Sequence, residues 1–137
     1  MTKIKQVPRS REQWFSIGKP KEANVPNLSQ YVDWTETTAI YSRPKFKMAG
    51  GMVEKMYAAL GMAGEAGEVA NLVKKIYRDG LTLQQYGDKL LLELGDVLWY
   101  WARLCCEFGI NPNAVILANI EKLEDRKKWA NYTVKEN

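Results

Sequence analysis

Four acidic side chains in two short motifs carry the most pointed chemical signal in this sequence. Glu65 and Glu68 stand at i, i+3 in GEAGEV, and Glu93 and Asp96 repeat that spacing in ELGDVLWY. On a helix, residues three apart lie about 60° from each other, so each pair presents both carboxylates to one side. The midpoint between the pairs falls at Gly80 and Leu81. Asp79-Gly80 followed by Thr82 is also the strongest stop-and-restart signal in the region. Two helices folded back there bring the pairs to the same level, and four carboxylates converge.

Acids often do no more than decorate a solvated helix face. Here the neighbours argue otherwise. Between Leu90 and Cys106 only Glu93, Asp96 and Arg103 are charged. Glu65, Glu68 and Asp96 have no Lys or Arg at i+3 or i+4, and Lys89 is the one ready local partner for Glu93. A carboxylate among apolar groups needs a cation, or its pKa rises and it neutralises. Gly64, Gly67 and Gly95 each precede one of the acids inside helical pattern, where each costs roughly 1 kcal/mol relative to Ala. Close approach of another helix or of a ligand is the expected compensation. The donor set narrows the cation. With no histidine and only the adjacent Cys105 and Cys106 as thiols, an all-carboxylate site suits Mg²⁺ or Mn²⁺. Mg²⁺ is commonly completed by substrate phosphates, so a nucleotide polyphosphate is the natural partner.

GEAGEV followed by ELGDVLWY resembles the E-x-x-E plus E-x-x-D signature of the MazG-like, all-α nucleoside triphosphate pyrophosphohydrolases, and NIEKLEDR is similar to that family's later Asn-x-x-Lys and Arg. The resemblance covers roughly residues 28–128. It implies an all-α bundle of about four helices, an obligate homodimer or homotetramer with a four-helix-bundle-type core. It also implies Mg²⁺-dependent cleavage of (d)NTP to (d)NMP and pyrophosphate. Two or three ions would be held by Glu65, Glu68, Glu93 and Asp96, with Mn²⁺ able to substitute. Family members divide among dUTP, dCTP and purine triphosphates. The short single unit is most similar to small phage-type members, which points to a purine such as (d)GTP. A dUTP- or dCTP-type pyrophosphatase, or a non-catalytic helical nucleic-acid-binding accessory protein, are the alternatives.

The elements that must position these groups follow from pattern. A chain of 137 residues makes one domain with its own core. The start carries no signal peptide, and three mid-run charges, Glu93, Asp96 and Arg103, within the stretch from Leu90 to Phe108 speak against a membrane span. Two buried thiols fit a reducing cytoplasm. Residues 1–27, with Pro8, Pro20 and Pro26, read as an irregular basic arm whose Trp14 and Phe15 dock on some surface. The positive excess lies wholly in residues 1–50, which hold nine Lys/Arg against four Asp/Glu. A solvated arm that balances the acidic site is favoured over a nucleic-acid partner. The first helix starts at Leu28 after an Asn27 or Ser29 cap and runs toward Tyr41, with Trp34 or Thr35 on its inner stripe. Residues 42–51 form a loop whose Arg43, Lys45 and Lys47 suit a cationic lid. The second helix spans about 52–78, the third about 83–108 with Gly109 as its stop, and the fourth about 112–128, capped by Asn111. Residues 129–137 read as a tail.

Several side chains can serve the substrate. Lys75 and Lys89 flank the acidic level at similar height, about 10 Å along the axis. Phosphate contacts and ion pairs with Asp79 and Glu93 are both open for them. Tyr100, one turn beyond Asp96, lies above the metal face, and the resemblance to dCTP pyrophosphatases implies that it stacks on the base; Trp34 has a similar implied role or is core. Asn119, Lys122 and Arg126 share one helix face and, by the same resemblance, bind sugar and phosphates, often across a subunit interface. Without histidine, a carboxylate must orient and deprotonate water, and Glu65 is the expected base.

Overall fold

The computed structural model describes residue 18, residues 25–42 and residues 51–135. Those residues form four helices and no strand: α1 (Leu28–Thr38), α2 (Met52–Asp79), α3 (Leu83–Phe108) and α4 (Pro112–Lys135), with a 3₁₀ turn at Ile40–Ser42 after α1. The lid residues Arg43, Lys45 and Lys47, and Trp14 and Phe15 of the arm, lie outside the described residues.

Local chemistry sets the helix ends. Asn27 Oδ1 accepts from the Gln30 backbone N–H at 2.9 Å, and Gln30 Oε1 accepts from the Asn27 N–H at 2.9 Å, a reciprocal capping box. That pair fixes the start of α1. The helix ends earlier than expected, at Thr38. Thr35, Thr37 and Thr38 each donate their hydroxyl to a carbonyl three residues back, a local competition that weakens continued helix. Between α2 and α3, Gly80 takes φ 62° and its N–H bonds to Ile76 O. Leu81 N–H returns to the same carbonyl at 3.2 Å, and Gln85 Oε1 accepts from Thr82 N–H at 2.8 Å. The hairpin therefore turns where the acidic spacing places it. Gly109, at φ 65°, closes α3 in the same left-handed way.

The α2–α3 hairpin is the body of the fold, and α1 lies against α3. The core between them is thin: Ala58, Leu72, Ala102 and Cys105 from the hairpin, with Thr35, Ala39 and Tyr41 from the α1 end. Thr35, not Trp34, faces inward, since Trp34 is 52% exposed. Arg103 ties the layers together at 3% exposure. Its guanidinium meets Glu36 at 2.6 Å and Glu107 at 3.0 Å, and Nε donates to the Tyr41 hydroxyl at 3.0 Å. Tyr41 in turn donates to Glu107 at 2.7 Å. Burial alone would lower the Arg103 pKa, but the hydrogen bonds it donates to Tyr41, Glu107 and Glu36 more than reverse that. Nearby, the Trp99 indole N–H donates to Thr38 Oγ1 at 2.8 Å.

Two expectations need correction. Cys105 is buried but Cys106 is exposed, because one residue turns about 100° around the helix and carries Cys106 off the face that holds Ala102 and Cys105. The fourth helix does not end near 128 but runs on to Lys135. Its described side chains are exposed except for Pro112 and Val115, which are half-buried. No helix is long and apolar enough to cross a membrane among the described residues.

Candidate active site

The hairpin brings Glu65 of α2 together with Glu93 and Asp96 of α3. One carboxylate oxygen from each lies within 4.8 Å of the others, with Glu65 and Glu93 half-buried and Asp96 exposed. None of the three is in an ion pair among the described residues. Burial, then the negative charges of Asp96, Glu93 and Glu68, push the Glu65 carboxyl above the ordinary range. Three converging carboxylates without a cation repel one another, which is the electrostatic condition a divalent ion relieves. Oxygen donors alone suit Mg²⁺ or Mn²⁺. Glu68, the fourth expected ligand, is exposed and falls outside this trio, although its charge is felt at Glu65.

The sequence pattern of the MazG nucleotide pyrophosphohydrolase domain matches residues 54–130, more than half of the chain, and that span holds all of the acidic motifs. The chain belongs to this family. A MazG domain implies NTP pyrophosphohydrolase chemistry. The chain is also similar to the Gene 37 protein of Mycobacterium phage L5, at 47% identity over 73 residues, which are 52% of this chain and 64% of that protein. It thus spans somewhat less than two thirds of that relative's length. No solved structure matches it.

Around the acids of the MazG domain, the aromatic groups are better ordered than the cations. Tyr100 lies over Gly61, where an added Cβ would overlap the ring. Its hydroxyl is pushed up to about 12, by burial first, then by its hydrogen bond with Tyr57 and the charges of Tyr57, Glu65 and Asp96. Tyr100 therefore stands beside the acidic trio, as expected from its place one turn beyond Asp96. Tyr57 stacks on Tyr41 with ring centroids 4.8 Å apart, and Trp99 sits edge-on to Tyr100 at 4.9 Å. Tyr31 of α1 is near enough to feel the Asp96 charge, which adds to burial in raising its pKa. Its ring meets that of Trp34, with centroids 5.8 Å apart. Of that pair Trp34, the ring singled out from sequence, is exposed, and Tyr31 is half-buried.

The basic residues stay apart. Neither Lys75 nor Lys89 forms an ion pair among the described residues, and Lys75 is felt only as a distant charge at Asp79, whose main partner is Arg78 at 2.6 Å. Asn119, Lys122 and Arg126 are exposed on α4, and no interaction joins them to the trio. Among the described residues, a Cβ at Gly64, Gly67 or Gly95 would meet nothing within 4 Å, so the close approach expected there is not made by another helix of the described chain. Gly61 provides one instead, for Tyr100.

Proposed function

We propose that this chain is a Mg²⁺-dependent nucleoside triphosphate pyrophosphohydrolase that cleaves (d)NTP to (d)NMP and pyrophosphate, with a purine such as (d)GTP as its substrate. The observation that carries this reading is the uncompensated carboxylate trio inside a MazG domain. Glu65, Glu93 and Asp96 would hold the metal, Mg²⁺ or Mn²⁺, with Glu68 completing the set from the adjacent turn. Two or three bound ions would neutralise phosphate charge and lower the pKa of a water. Glu65, whose carboxyl is held above its ordinary range by burial and the neighbouring acids, would orient that water and accept its proton. Lys75, Lys89, Asn119, Lys122 and Arg126 supply charge and hydrogen bonds to the phosphates and sugar. Tyr100 stacks on the base, with Trp34 at the rim.

A homodimer or homotetramer completes the reading. Leu60 is 70% exposed, Leu92 65% and Tyr77 92%, far more apolar surface than a helical hairpin this thin leaves to water. Gly64 and Gly67 lie on the Leu60 side of α2 with open space before them. A second copy packed there would explain both the exposed leucines and the glycines.

The test is turnover of each (d)NTP with the purified chain and Mg²⁺. Nucleoside monophosphate and pyrophosphate should appear in equal amounts and stop when the metal is chelated. Release of free phosphate or nucleoside diphosphate, or no turnover with any triphosphate, would refute the reading.

A further inference from the structure

A second carboxylate on α2 is buried without a partner. Glu54 is 6% exposed, and its Oε2 finds no hydrogen-bond donor among the described residues. The Glu54 side chain forms one wall of a pocket of about 220 Å³, and Ile40, Tyr41, Val53 and Tyr57 are its other described walls. That is below the ~300 Å³ at which sites for drug-sized ligands begin, so the pocket takes part of a ligand. Position in the first turn of α2 suits a negative charge. An ionised carboxylate only accepts hydrogen bonds, and burying one of its oxygens unpaired is unfavourable. The two hydroxyls on the described walls are engaged elsewhere, Tyr41 donating to Glu107 at 2.7 Å and Tyr57 bonded with Tyr100, and one carboxylate among apolar and aromatic side chains is a poor cage for a hard cation.

The pocket and the acidic trio share one side of α2. Glu54 precedes Glu65 by eleven residues, which places the two within about 20° of the same helix face and about 16 Å apart along the axis. Tyr57 and Tyr100 lie between them, centroids 6.2 Å apart. A nucleotide laid along this face with its phosphates at Glu65 puts its base against the tyrosines, which stack on any base, and its base edge at Glu54. A carboxylate discriminates among base edges. Guanine offers adjacent N1–H and N2–H donors, a pair that the Glu54 carboxylate, once turned toward the pocket, accepts with both oxygens. Adenine and cytosine set an acceptor beside their donor, and uracil and thymine flank a single N–H with two carbonyls.

We infer that Glu54 is the base-reading residue of this site and that the base it reads is guanine. The inference rests on the acidic trio being the triphosphate site. The test compares kcat/KM of the full chain for dGTP, dITP and dATP with Mg²⁺, in the wild type and in Glu54→Gln. dGTP should exceed dITP, which lacks only the 2-amino donor, and dATP by about 10- to 100-fold. Glu54→Gln should bring the dGTP to dATP ratio near one by lowering kcat/KM for dGTP. Equal use of dGTP and dITP by the wild type, or a pyrimidine preference, overturns the inference and leaves the pyrophosphohydrolase reading standing; this comparison needs no variant, so poor folding of Glu54→Gln does not blunt it. If no triphosphate is turned over, calorimetric binding of dGMP against dAMP and dIMP decides instead. Selective dGMP binding that Glu54→Gln removes upholds Glu54, and equal or absent binding refutes it.

Discussion

Two groups of charges on the α2–α3 hairpin stand in opposite conditions. At Arg103 every charge is answered from within the chain: Glu36, Glu107 and Tyr41 surround the guanidinium, and it is almost wholly buried. At Glu65, Glu93 and Asp96 no charge is answered among the described residues, and the neighbouring acids add to burial in pushing the Glu65 carboxyl up. Both clusters join helices, yet only the first contributes to holding them together. A charge that the fold has satisfied is part of the scaffold, whereas a charge left in mutual repulsion is set aside for something the chain does not contain.

The sharpest way to break that contrast is to neutralise one member of each cluster. Asp96→Asn should reduce pyrophosphate release at least ~10³-fold, about 4 kcal/mol of transition-state stabilisation. Without metal its melting temperature should hold or rise, because a repulsive charge has gone. Glu68→Gln in the same assay sharpens the picture: a loss as large would make Glu68 a full ligand, and a smaller one would leave the trio as the metal set. Arg103→Met should do the reverse, lowering stability by about 3 kcal/mol in urea titration, while the Mg²⁺ dependence of activity is unchanged where the variant is folded. If Asp96→Asn unfolds the chain or Arg103→Met leaves stability intact, the division between scaffold and site fails.

Much of this was open to sequence reasoning, for a reason that also explains what was not. The hairpin and its acids are local: Gly80 needs a left-handed turn, and the motifs are spaced evenly about it, so helical geometry alone predicts that they meet. The Arg103 network is not local. Apart from Glu107, four residues on, its partners come from far away in sequence: Thr35 and Glu36 from α1 and Tyr41 from the 3₁₀ turn after it, and in sequence Arg103 is one more charge in an apolar run. Glu54 was missed although its signal was present, because eleven residues, like four or seven, return to the same helix face. Glycine shows the limit most clearly. Gly61, Gly64 and Gly67 look equivalent in sequence, and only the register of α3 reveals that Tyr100 lies over the first while the other two face open space.

That difference among glycines gives the last test, with the smallest expected effects. Gly61→Ala drives a methyl into the Tyr100 ring and should destabilise by about 1–3 kcal/mol, as overpacking does. It should also impair activity, since Tyr100 borders Glu65 and Asp96. Gly64→Ala meets nothing within the chain, and helix propensity alone makes it stabilising by roughly 1 kcal/mol. If a second copy packs against the Leu60 side of α2, however, the same methyl separates the helices, and light scattering should find the assembly shifted toward monomer. A Gly64→Ala protein of unchanged mass and higher melting temperature would show that this face of α2 touches no partner. The exposed leucines would then need another explanation.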